Sequence, residues 1–228
     1  MWLHIGLHTR SIEMSKQLKI ALFGATGMIG SRIAAEAARR GHQVTALARN
    51  PARVPADLAN VTAAQADVLD AASVSAAVRG HDVVASAYAP PKDDPAVVSR
   101  ASHALVDGVR AAGLKRLVVV GGAGSLEVAP GKQLVDTDGF PDAYKAVALA
   151  HRDAFDYYRG ITDLDWTFFA PAALIAPGER TGKFRTGANT LIADAEGNSR
   201  ISAEDYAIAF VDELEQGRFI RQIATVAY

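Results

Sequence analysis

The sequence predicts an α/β protein, a doubly wound parallel sheet with helices on both faces and a small C-terminal lobe. Three observations carry that expectation. Apolar runs of strand length recur along the chain, most of them continuous rather than alternating, as in strands covered on both faces. Segments with apolar residues three and four apart lie between them, which is helical spacing. The two kinds of segment alternate, and that alternation builds parallel sheets.

The strand candidates are LKIALFG (18–24), QVTALA (43–48), VTAAQAD (61–67), DVVASAY (82–88), KRLVVVGG (115–122) and DWTFFAP (165–171). The intervening helices are predicted over Ile29–Arg40, Ala71–Arg79, Pro95–Ala112 and Pro141–Arg159, stopped by Gly41, Gly80, Gly113 and Gly160. After Pro171 the rhythm changes. AALIAPGERTGKFRTGANT reads as a loop, and TLIADAEGNSRIS as a short hairpin around Glu196 to Asn198. A last helix, Ala203–Gln216, follows Ser202 as N-cap, with Asp205 placed to approximate a capping box. FIRQIATVAY then supplies a final strand. The expected organisation is a tail over 1–15 and one domain over 16–228, whose small substrate lobe is built mainly from 171–228.

With 228 residues, half of them apolar and 21% charged, the chain has an ordinary globular composition and length for one substantial core. A net charge of -1 gives no electrostatic case for nucleic acid or an anionic membrane. No run reaches the roughly 18 apolar residues of a membrane span. The absence of cysteine excludes disulfides, thiolate catalysis and cysteine-bound zinc, and is compatible with the reducing cytoplasm. No histidine makes metal-ligand spacing with nearby carboxylates, so no metal is expected.

Gly24, Gly27 and Gly30 form G-x-x-G-x-x-G between the first strand and the first helix. In that context the first glycine makes the turn, the second lets a pyrophosphate approach the backbone, and the third lets helix and strand pack closely. The helix start, with Met28 and Ile29, presents free N–H groups and the positive dipole end, and Thr26 can add a hydroxyl. The second strand ends ALARNPARV. Arg49 stands where an acid would serve NAD, and Arg53 follows four residues on, so the pair can clamp a 2′-phosphate unless both are merely solvated surface groups. NADP(H) is therefore favoured, with NAD(H) second. Asp67 and Val68 close the third strand, where a carboxylate and backbone can meet adenine; the alternative for Asp67 is a plain helix-start role. Ala87, at the end of the fourth strand, joins the cofactor candidates.

GATGMIG, ADVLD, VVVGGAGSL, DWTFFAPAALIAPGERTGKFRTG and ISAEDYAIAFVDELE together resemble the atypical short-chain dehydrogenase/reductase group, its NmrA-like and flavin-reductase-like branch. The resemblance spans Lys16 to Tyr228. It implies a Rossmann-type domain, a dinucleotide laid over the strand ends and a pocket roofed by the C-terminal lobe. It also implies that Lys145 lies near the nicotinamide ribose and that backbone at Pro171, Ala172 and Ala173 meets the nicotinamide carboxamide.

The chain departs from the Ser/Tyr/Lys set of typical short-chain dehydrogenases. Tyr144 is followed four residues later by Ala148 rather than Lys, and the end of the fifth strand has Gly121 and Gly122 in place of a serine. Ser125 lies slightly further along as a candidate donor. Tyr144 is a weak candidate acid, more readily a half-buried packing residue. His81, His103 and His151 are scattered and read as structural or solvated. Trp166, Phe168 and Phe169 read as core rather than a flavin-stacking platform. Two functions remain open, beside a third reading in which the fold is degenerate and its cofactor serves only stability. One is NADPH-dependent hydride transfer to a small planar acceptor of the flavin or quinone type, which needs orientation more than a positioned base. The other is a non-catalytic redox sensor that binds NAD(P)H and a protein partner.

Overall fold

The computed structural model describes residues 16–54, 58–91 and 93–228; the expected tail over 1–15 lies outside them. The first half runs β1 (Lys19–Phe23), α1 (Met28–Arg39), β2 (Gln43–Ala48), β3 (Val61–Gln65), α2 (Ala71–Val78), β4 (Val83–Ser86), α3 (Val97–Ala111) and β5 (Arg116–Val120). There follow β6 (Glu127–Ala129), β7 (Lys132–Gln133), α4 (Asp142–Arg159), β8 (Asp165–Ala170), β9 (Leu174–Ala176), β10 (Arg185–Gly187), β11 (Arg200–Ser202), α5 (Ala203–Gln216) and β12 (Gln222–Ala227).

Eight strands form one sheet in the order β10-β12-β8-β5-β4-β1-β2-β3. All pair in parallel except β10, which runs antiparallel to β12 at one edge. Strand order reverses between β1 and β4, the position where doubly wound sheets open a crevice at their carboxyl ends. This is the Rossmann-type fold.

Alternate residues of β1 divide the core. Ala21 and Phe23 join α2, α3 and α4 on one face, with Trp166 and Phe168; Ile20 and Leu22 join α1 and α5 on the other, with Phe169. The three aromatics are at most 2% exposed, which is the core placement expected of them. Gly41, Gly80 and Gly113 follow their helices with positive φ, while Gly160 closes α4 at φ −77 without the left-handed turn.

Several expectations change on contact with the structure. β3 is not covered on both faces: it is the sheet edge, and all five of its residues keep some exposure. There is no hairpin at 190–202. A turn is held by Asp194, whose Oδ1 accepts from the N–H groups of Glu196 and Asn198, but β11 pairs in parallel with β9, a segment within the predicted loop. Of the 171–228 segment, β10, α5 and β12 belong to the central layers, so only β9, β11 and their connecting loops lie outside them. Ser202 caps α5 as expected, its Oγ accepting from Asp205 N–H at 3.0 Å. The reciprocal half of a capping box is missing, because the Asp205 carboxylate instead accepts from Thr181 N–H, Gly182 N–H, the Thr181 hydroxyl and the Tyr228 hydroxyl. Among the described residues no helix is long and apolar enough to cross a membrane.

Candidate functional site

A pocket of about 490 Å³ opens at the carboxyl ends of β1, β2 and β4, at the point where strand order reverses. Gly24 and Gly27 form its floor, Arg49 and Arg53 one wall, and Ala87 and Tyr88 the other.

The three glycines serve different needs. Gly24 has φ +78, and a Cβ there would stand 2.4 Å from Ala87 O, so the turn and its fit against β4 exclude any side chain. A Cβ on Gly30 would stand 2.1 Å from Gly24 O, so α1 can seat on the turn only with glycine there. Gly27 is unlike both. Its φ of −83 suits any residue, and a Cβ would meet nothing closer than Gly24 O at 3.4 Å. The chain itself makes no demand for glycine at 27; a group approaching the backbone from the pocket would. Gly27 is also the N-cap of α1 and has no side chain to satisfy the first-turn N–H groups of Met28 and Ile29. The exposed Thr26 hydroxyl stands beside them on the pocket wall. Residues and geometry therefore fit a phosphate-bearing ligand.

Arg49 and Arg53 are exposed on the wall, and neither makes an ion pair among the described residues. Asn50 holds the turn between them, its Oδ1 accepting from Ala52 N–H at 3.2 Å. Among the described residues no Asp or Glu lines the pocket. Burial pushes the Tyr88 phenol up, and the Arg49 charge acts in the opposite direction.

Val68 and Ala87 line the pocket as expected. Asp67 does not: its Oδ1 accepts from Leu69 N–H at 3.0 Å in a local turn before α2, the helix-start alternative. Ala66 takes the neighbouring place on the wall. Ser125 is fully buried in a 3-10 turn and does not line this pocket. Lys145 and Tyr144 stand in the first turn of α4 and do not reach this pocket; Tyr144 is 64% exposed, neither packed nor paired. Pro171 and Ala172 are buried at the end of β8, and the Ala173 N–H is already donated to Ser199 Oγ. The structure thus unites the candidates around Gly24 and Arg49 and leaves those around Lys145 and Pro171 apart from them.

Tyr88 and Asn50 went unremarked in the sequence. The available signal was position: Tyr88 directly follows a buried strand, and Asn50 lies between the two arginines. The scattered histidines are structural in two cases. His81 bridges Val78 O and Thr45 Oγ1, and His103 stacks on Tyr157 with ring centres 3.8 Å apart.

The profile of the NAD(P)H-binding family matches residues 24–216. Among solved structures, a protein of Burkholderia pseudomallei provisionally named as exported is 73% identical over 93% of this chain and 100% of its own, with a TM-score of 0.87. One from Streptococcus pneumoniae, provisionally named an NADH-flavin reductase, is 32% identical over 92% of this chain and 99% of its own, with a TM-score of 0.83. The uncharacterized protein YwnB of Bacillus subtilis is 37% identical over 201 residues, 87% of this chain and 92% of its own.

Proposed function

The chain belongs to the NAD(P)H-binding family, and on that premise we propose that it is an NADPH-dependent oxidoreductase that reduces a small planar acceptor of the flavin or quinone type. The observation that carries the cofactor preference is the pocket wall: two guanidiniums, Arg49 and Arg53, and no carboxylate among the described residues. A carboxylate there would accept from the 2′-hydroxyl of NADH, whereas guanidiniums match a 2′-phosphate.

In this reading Gly27 and the start of α1 hold the pyrophosphate through backbone N–H groups, and Thr26 adds a hydroxyl donor. Val68 and Ala87 frame the adenosine end. Bound NADPH supplies the hydride. No acid or base of the expected Ser/Tyr/Lys set stands on the pocket wall, which favours an acceptor that takes its proton from water. The likeness to the Streptococcus pneumoniae protein supports a flavin as that acceptor. The absence of that set from the described part of the pocket wall also supports a second reading, a sensor that binds NADPH without turnover and presents a redox-dependent surface to a protein partner.

A cytoplasmic location goes with this reading because NADPH must be at hand. The name of the Burkholderia relative points the other way, and cell fractionation decides between them.

The experiment is NADPH oxidation by purified protein against a panel of flavins and quinones, with protein-free controls. Saturable turnover is expected. Tight NADPH binding with no turnover across the panel would replace the reductase by the sensor.

A further inference from the structure

A second, smaller and partly open cavity lies on the α3–α4 side of the sheet, between β4, β5 and those two helices. Its volume is about 20 Å³, and Tyr88 lines both it and the larger pocket. Two polar atoms in its wall are buried without a hydrogen-bond partner among the described residues: the Tyr158 hydroxyl and His151 Nδ1. Both residues stand on α4, seven apart, so they share one helix face. The long Tyr158 side chain points back toward the N-terminal end of its helix, the direction of His151.

Two serines complete the wall. Ser102 Oγ donates to Val98 O at 2.9 Å and stands near enough to the Tyr158 hydroxyl to oppose the rise that burial gives its pKa, and Ser86 Oγ accepts from Tyr88 N–H at 3.4 Å and keeps its proton free. An internal water needs roughly 10–15 Å³ and two to four polar partners. Both conditions are met here.

We propose that this cavity is a specific site for one internal water molecule, hydrogen-bonded to the Tyr158 hydroxyl and His151 Nδ1. Both of its partners stand on α4, and the His151 side chain packs directly against Gly122 after β5, whose Cβ position would fall 2.9 Å from His151 Cβ. Burial holds the imidazole pKa down at about 4, so the ring is neutral near pH 7 and a water, able to donate or accept, suits either tautomer.

Two measurements test the site. The sign of the Tyr158→Phe effect separates a hydrogen-bonded hydroxyl, which contributes stability, from an orphaned one, which costs it, and the crystal structure identifies water as the partner. The expected results are a Tm lowered by about 2–4 °C in Tyr158→Phe and, in a high-resolution crystal structure of the unmodified protein, one ordered peak within hydrogen-bond reach of both atoms. An empty cavity, or a variant whose Tm is unchanged or raised, overturns the proposal.

Discussion

Arg180 places its guanidinium on the buried carboxylate of Glu36, with Nε 3.0 Å from Oε2 and Nη2 3.1 Å from Oε1. The contact joins two distant parts of the chain: Glu36 is on α1, the helix that starts at the glycine turn, and Arg180 is in the segment between β9 and β10. Arg39 and Arg40 donate to the same carboxylate, and Arg40 continues to Asp212 and Glu215 on α5. A second link runs parallel to it, from Arg32 through Glu204 to Gly178 N–H. Helix α1 and the segment between β9 and β10 are thereby held as one body.

Acid should weaken that body. Burial alone would raise the Glu36 carboxyl, but hydrogen bonds from Arg39, Arg180 and Arg40 outweigh it and bring the pKa from 4.5 to about 2. A carboxyl with a folded pKa below its unfolded value adds stability above the unfolded value and loses it as pH falls through the folded one. The stabilisation is on the order of 2–3 kcal/mol at pH 7. Thermal unfolding of wild type and Glu36→Gln across pH 7 to 2 should show a gap of about that size at neutral pH. The gap should close as pH falls from about 4.5 toward 2.

Asp205 should prove a latch for the same segment. It is fully buried, and its carboxylate accepts from the backbone of Thr181 and Gly182, both at 2.8 Å. Asp205→Ala leaves those donors without their charged acceptor and should cost about 3 kcal/mol. Hydrogen exchange at Thr181 and Gly182 should rise more than exchange in β1 or β5; a uniform rise would mean general destabilisation instead.

The glycines should separate folding from binding. Gly24→Ala meets both positive φ and Ala87 O, and should lose on the order of 3 kcal/mol of stability. Gly27→Ala should keep its Tm within about 2 °C yet weaken NADPH at least roughly 10-fold, since only the ligand needs the space. Calorimetric titration and thermal melts of the two variants test the contrast.

The strand-turn-helix at Gly24 was legible because its signals are local: a continuous apolar run, glycine spacing and a helical period. The arginine wall was legible for the same reason, since Arg49 directly follows β2. The misread parts depend on distant partners. β11 pairs with β9, 26 residues away by register, so the turn at Asp194 looked like a hairpin from within. Asp67 and Ser125 lie beyond the ends of β3 and β5, and side-chain direction there is set by packing: the Asp67 carboxylate turns to Leu69 N–H, and Ser125 is fully buried. β3 looked internal because its alanines and valine do not distinguish an edge from a centre.

The most direct test of the central claim is a paired titration of wild type and Arg49→Ala with NADPH and NADH. Charge-assisted hydrogen bonds of this kind contribute about 1.5–3 kcal/mol, or roughly 10- to 100-fold in Kd. Wild type should bind NADPH more tightly than NADH, and Arg49→Ala should lose NADPH affinity by that factor while NADH affinity stays within about twofold. Equal affinities in wild type, or equal losses for both cofactors in the variant, would contradict a 2′-phosphate site at Arg49.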